Sequence, residues 1–234
     1  MNNPKLVFDI GCNRGNFYEY CLARFPKCKV IAVDANDSFI WKSDIERLEL
    51  IHAALSNKDG LKVDLLIDPR QLGISTLSEK WTQESRFAKG NKYLPPGNSN
   101  WTLKKQVYTT TLDKLIEQYG EPQFIKIDVE GHEEQVLLGL TKKPANCLIS
   151  FEFSEELYSE VFKCIQHLIN LGFVEFGLSG YFEDGKHDWA TLDPKGDTFV
   201  KTPKVFLSAE EFLNKFVGLI VPDRNIVWGM IYAK

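Results

Sequence analysis

Short apolar runs alternate along this chain with segments whose apolar positions recur at helical spacing. Residues 5–11 (KLVFDIG) predict a buried strand ending in a glycine turn, and residues 17–25 a helix stopped by Pro26. Further strands are expected at residues 29–34, 49–55, 61–67, 124–128, 147–153, 173–178 and 226–232. Between them, Thr111 can cap a helix carrying Leu112, Leu115, Ile116 and Tyr119, and another helix is expected over about 132–140. After Ser154, Leu157, Val161, Cys164, Ile165, Leu168 and Ile169 share one helical face. His167 lies opposite that stripe and is expected to face solvent. Ser208 and Glu211 make a capping-box pattern ahead of Phe212, Leu213, Phe216 and Val217.

Strand and helix patterns in alternation predict an α/β fold with a mostly parallel sheet. The exception is residues 69–105, where Gly73, Gly90, Pro95, Pro96 and Gly97 break every period. A loop that long in a compact domain is usually functional, so a partly helical lid is expected there. The rest of residues 1–234 reads as a single domain.

Composition removes several classes of function. The 234 residues carry a formal net charge of -4, without the basic excess of a nucleic-acid binder. The five cysteines are odd in number and none forms a C-x-x-C pair, so neither a disulfide framework nor a zinc site is expected. No apolar run approaches the roughly 20 residues of a membrane span. Residues 1–5 lack a secretory pattern, and a cytoplasmic protein is expected.

In open α/β sheets ligands bind beyond the carboxyl ends of the strands, so the residues at those ends come first. Asp9, Gly11, Asn13 and Gly15 form a strand-to-helix turn (DIGCNRG). It lacks the G-x-G-x-x-G of a dinucleotide site and the G-x-x-x-x-G-K-[ST] of a triphosphate loop. An acid ahead of the turn suits a cationic ligand better than a pyrophosphate, although an ordinary βα turn would also use these glycines. Asp34 ends the next strand about 20 residues on, where an acid can accept hydrogen bonds from ribose hydroxyls or cap the following turn. Asp128, Glu130 and His132 stand where a buried strand (FIKID) meets a helix. Charges there are costly unless they pair, face water or serve a ligand. Glu133 and Glu134 read as favouring the helix N-terminus.

The segment IKIDVEGHE at residues 125–133 resembles the I-K-I-D-V-E-G-x-E signature of the FkbM family of S-adenosyl-L-methionine (SAM)-dependent methyltransferases. Other stretches agree in order: DIGCNRG at 9–15, VD at 33–34, AALS at 53–56, STLS at 75–78, TLD at 111–113, FEF at 151–153 and WGMIYA at 228–233. Met230 departs from the pattern, since relatives often carry Asp there. The resemblance implies a Rossmann-like class I fold, with a mostly parallel seven-stranded sheet and helices on both faces. It implies SAM as cofactor and O-methylation of a hydroxyl on a small molecule or sugar. By the same resemblance the glycine turn with Asp9, Gly11, Asn13 and Gly15 would hold the methionine part. Asp34 would hold the ribose, Ala53 would lie by the adenine, and Asp128 near the transferred methyl.

Methyl transfer to a hydroxyl needs a proton acceptor, and His132 is the first candidate, with Asp128 as the alternative and Glu130 beside them. A helix N-terminus keeps an imidazole neutral, whereas neighbouring acids favour its charge. No metal is assigned, because ligands at 128, 130 and 132 across a strand–helix junction need not converge. Glu152 is a further candidate near the substrate, and Trp81, Tyr93 and Trp101 in the lid could touch it. His52, His167 and His187 receive no role. A non-catalytic binding protein on the same fold, or an NAD-dependent oxidoreductase, are the alternatives.

Overall fold

The computed structural model describes residues 3–40, 43–90, 97–182, 188–192, 202–219 and 227–234. The chain first runs outward through β1 (Leu6–Ile10), α1 (Asn16–Arg24), β2 (Lys29–Asp34) and β3 (Leu48–His52). It leaves the main sheet through β4 (Ala54–Leu55), β5 (Lys62–Ile67), α2 (Glu79–Glu84) and β6 (Leu103–Thr110). It returns through α3 (Leu112–Tyr119), β7 (Phe124–Ile127), α4 (Glu133–Leu138), β8 (Leu148–Ser154) and α5 (Tyr158–Asn170). The last part comprises β9 (Glu175–Phe182), β10 (Ala190–Leu192), β11 (Leu207–Ser208), α6 (Ala209–Leu219) and β12 (Val227–Ala233).

The sheet order is β3-β2-β1-β7-β8-β12-β9-β10, with β11 against β9. The order reverses between β1 and β7, which run parallel with Asp9 beside Lys126. That gap is where an open α/β sheet builds its crevice. β12 is antiparallel to both β8 and β9, and the strands from β3 to β8 are parallel.

Helices cover both faces because β1 and β2 are apolar on both sides. Val7, Val30 and Ala32 pack under Phe17, Tyr18 and Cys21 of α1. Phe8, Ile10, Ile31 and Val33 face the larger core, which α3, α4, α5 and α6 close. Within it Phe216 meets Phe153 edge-on at 5.3 Å and Phe212 face-on at 5.5 Å, geometries that aromatic pairs favour. All five cysteines are buried and free. Among the described residues no helix is long and apolar enough to cross a membrane.

Several expectations shift. The seven predicted strands of the main sheet become nine, because β10 and β11 are three- and two-residue edge pieces too short to leave a period. Residues 49–55 do not form one strand. The chain turns at Ala53, so that β3 pairs with β2 while β4 pairs with β6 in a separate sheet, order β4-β6-β5. The irregular segment is shorter than 69–105, because β6 already starts at Leu103; most of its side chains are exposed, which hid the strand. Residue 226, where the final strand was expected to begin, lies outside the described residues.

The insert between β5 and β6 is held at both ends by one carboxylate. Asp68, fully buried, accepts hydrogen bonds from the Arg70 backbone and guanidinium and from the Asn100 backbone. Arg70 in turn donates to the Asn98 carbonyl, and Leu66 and Thr76 exchange two backbone hydrogen bonds. Further along, Arg86 forms a two-pronged ion pair with Glu156, whose side chain is 1% exposed. The Arg70 guanidinium holds the Asp68 carboxyl down at about 2, below the usual 3.8. Its contribution is therefore complete above about pH 3.8 and is lost as pH falls through about 2. Replacing Asp68 with Ala is expected to speed protease cleavage within residues 69–102 about tenfold at pH 7, with the main sheet intact by circular dichroism. An unchanged cleavage rate would mean that the insert is held elsewhere.

Candidate active site

A cavity of about 560 Å³ opens beyond the carboxyl ends of β1, β2 and β7, a volume within the range of small-molecule and cofactor pockets. Gly11, Asn13, Asp34, Ala53, Asp128, Glu130 and His132, seven of the predicted site residues, line it. Ser75, Thr76 and Leu77 from the insert form another wall.

The glycine turn has a steric reason. Gly11 sits at φ +74°, and a Cβ there would come within 1.7 Å of the Asp128 carbonyl. The turn after β1 thus rests on the end of β7 without a side chain between them. Gly15, at φ +95°, is required by the Tyr18 ring, which a Cβ would meet at 2.1 Å. Gly15 does not itself line the cavity. Asn13 takes a left-handed φ of 47°, uncommon outside glycine, and its Oδ1 is buried on this wall without a partner. Asp34 fixes the turn from β2: its two oxygens accept from the Asn13 and Asn36 backbone amides, each at 2.8 Å. Burial raises the Asp34 carboxyl to about 6, and those two amides act against the rise. An orphaned amide oxygen, an anchored acid and an open turn together fit a nucleoside-bearing cofactor.

Asp9 corrects an expectation. It is fully buried and does not line the cavity. Between it and the cavity stands Lys126, a residue to which the sequence reading gave no role. Its ammonium donates to the Gly11 carbonyl at 2.8 Å and pairs with Asp128 at 3.2 Å and Asp9 at 3.4 Å. Burial opposes the lysine's charge, but Asp128 and Asp9 overcome it and carry its pKa above the ordinary value. The signal was present in the sequence, since a lysine inside an apolar strand needs acids beside it.

On the far side of Asp128, carboxylate oxygens of Asp128, Glu130 and Glu152 lie within 4.8 Å of one another. Desolvation, and then the neighbouring carboxylates, push Glu130 and Glu152 well above the usual carboxylate range. Glu130 adopts φ 55°, and the buried Thr76 hydroxyl donates to its carbonyl at 2.7 Å. Such strained residues persist only where their surroundings over-determine them, and two of them, Asn13 and Glu130, stand on this cavity. The spacing would let a hard cation take one oxygen from each acid, with Glu152 and not His132 as the third member. Met230, in place of the relatives' acid, is the register partner of Glu152 and is 1% exposed.

His132 caps α4 and its Nε2 lies 3.2 Å from the Ser56 hydroxyl, on the side of the cavity formed by Ala53, Ala54 and Leu55. Glu133 folds back to accept from the Val129 and Gly131 amides. Trp81 is 2% exposed and packs against Gly131 without lining the main cavity, while Trp101 donates to the Ile74 carbonyl. His167 is not simply solvated, because it bonds the Leu140 carbonyl; His52 bonds that of Ala35. Tyr93 and His187 lie outside the described residues.

Burial lowers His132 to about 4 from the usual 6.5. Protonation therefore favours the unfolded chain, and this residue lowers stability as pH falls from 6.5 towards 4. Over that interval the thermal midpoint of a His132→Gln variant should fall less steeply than that of the native protein. Equal slopes would show that His132 is not held neutral.

A family model described as the methyltransferase FkbM domain matches residues 9–175, more than half of the chain. No curated protein matches. Solved structures that resemble it include a precorrin-6y C5,15-methyltransferase from Geobacter metallireducens, 10% identical with a TM-score of 0.41, covering 100% of this chain and 81% of that one. A putative methyltransferase from Thermoplasma acidophilum is 11% identical with a TM-score of 0.37, covering 97% of this chain and 66% of that one. The plantazolicin methyltransferase BamL, in complex with a triazolic desmethylPZN analog and SAH, is 12% identical with a TM-score of 0.37, covering 99% and 77%. The family match begins at the acid under the glycine turn and runs through the Lys126–Asp128–Glu130 strand end, and on that match the chain belongs to the FkbM family of SAM-dependent methyltransferases.

Proposed function

We propose that this methyltransferase O-methylates a hydroxyl on a small molecule or sugar, with the Asp128–Glu130–Glu152 carboxylates receiving the hydroxyl proton. The convergence of these three acids, of which Asp128 and Glu130 line the cavity and Glu152 a second, smaller pocket, is the observation that carries the reading. SAM, when bound, supplies an electrophilic methyl group on a sulfonium sulfur, which leaves as a neutral thioether. The turn from Gly11 to Gly15 takes the amino-acid part, Asp34 accepts from the ribose hydroxyls, and Ala53 lies by the adenine.

An alcohol attacks well only when its proton has somewhere to go, and a positioned base contributes typically 10²–10⁴-fold. Glu130 and Glu152, raised by burial and then by neighbouring carboxylates, Asp128 first among them, bind a proton more firmly than free carboxylates do. His132 suits this role less well: its Nε2 is taken by Ser56 and its basicity is low. It serves instead on the adenine side. The Ser75–Leu77 wall excludes water while oxygen and methyl are brought together.

Cofactor binding is tested by calorimetric titration with S-adenosylhomocysteine. Asp34→Ala should abolish measurable affinity, and the native protein should bind more weakly as pH falls through about 6, because the ionised Asp34 carboxylate is the acceptor. Affinity independent of Asp34 would overturn the placement of the ribose.

The base is tested by transfer of labelled methyl to a panel of sugars, phenols and aliphatic alcohols. Glu130→Gln and Glu152→Gln should each lower kcat by about 10²-fold or more, with cofactor affinity retained. Unchanged turnover in both variants would remove these acids from the reaction. Turnover lost in EDTA and restored by Mg²⁺ would instead give the three carboxylates a cation-holding role.

A further inference from the structure

We propose that Lys126 positions the amino-acid end of the cofactor, by tying the Gly11 turn and Asp128 to one buried ammonium. The inference rests on the placement of that end at the glycine turn proposed above.

Lys126, 4% exposed, donates a hydrogen bond to the Gly11 carbonyl and forms ion pairs with Asp128 at 3.2 Å and Asp9 at 3.4 Å. Each sits on a different piece of chain: the turn after β1, the end of β7 and β1 itself. The other tie on the turn comes from β2, where Val33 accepts from Gly11 and Cys12 and Asp34 accepts from Asn13. The turn is thus held between β2 and β7, and Lys126 is the hold from β7. Asp9 is sealed behind the lysine, so its influence on a ligand passes through Lys126.

The charges agree with this role. Asp9 alone would neutralise Lys126, and Asp128 brings the group to a net negative charge at the cavity wall. A cofactor whose amino-acid end carries an ammonium, beside a sulfonium, is favoured there. Removing the lysine would free the Gly11 carbonyl and leave two acids repelling each other across the turn.

The test compares two ligands by calorimetry. S-adenosylhomocysteine carries the amino-acid part; 5′-methylthioadenosine shares the nucleoside and sulfur but lacks it. Lys126→Met should weaken S-adenosylhomocysteine about tenfold or more, the scale of lost hydrogen bonds to a charged group. Methylthioadenosine should change by less than about twofold. A parallel loss for both ligands would reduce Lys126 to a general structural residue, and no loss for either would give it no part in binding; both results overturn the proposal. If Lys126→Met does not fold, Asp9→Asn combined with Lys126→Met removes the stranded buried acid, and the same split is expected. Asp34→Ala serves as the control, because it should weaken both ligands. If it weakens neither, the cofactor placement has failed; if it behaves as expected while Lys126→Met spares S-adenosylhomocysteine, only the present inference has failed.

Discussion

The crevice depends on two strand ends that touch main chain to main chain. Gly11 leaves no room for a side chain above the Asp128 carbonyl, and that proximity brings the turn after β1 against the end of β7. Once they are so close, a single lysine can reach the Gly11 carbonyl, Asp9 and Asp128 together. Asp34 then fixes the other flank of the turn through the Asn13 amide. Cavity wall, buried cation and acidic group follow from that one close approach, at the point where the strand order reverses.

The parts of the fold that rest on periodic apolar runs were legible in the sequence, because burial on both faces of β1, β2 and β7 leaves little choice of residue. β6 was not, since its exposed lysines and Tyr108 mask the alternation. At the site, strand-end logic located Gly11, Asn13, Asp34, Ala53, Asp128, Glu130 and His132 on one cavity. It could not tell that Asp9 is screened by Lys126, because the order of layers behind a wall is a tertiary fact. Nor could it join Glu152 to Asp128 and Glu130, which requires β8 to lie beside β7. The contact of His132 with Ser56 was hidden for a related reason, since Ser56 comes from a distant segment.

Electrostatics divide the cavity into unlike regions. Under the turn, a lysine is matched by two acids. Around Glu130 and Glu152 acids gather, and desolvation raises their proton affinity although Arg86 acts against the rise. Met230 limits this crowding by placing a thioether opposite Glu152, where a further carboxylate would add repulsion. On the Ser56 side His132 is kept neutral by burial. Proton affinity is thus raised well above the usual carboxylate range at Glu130 and Glu152, while Asp34 at the turn rises to about 6.

The placement of β12 has a consequence for how the molecule comes into being. Residues 227–233 lie between β8 and β9, in the interior of the sheet and not at its rim. Until they emerge from the ribosome, β8 and β9 each present an unsatisfied edge, and the sheet is divided in two. The half holding β1, β2 and β7 can collapse early around α1, α3 and α4, while Glu152 waits on a strand with one open side. The nascent chain therefore passes through a stage in which exposed strand edges are open to mispairing.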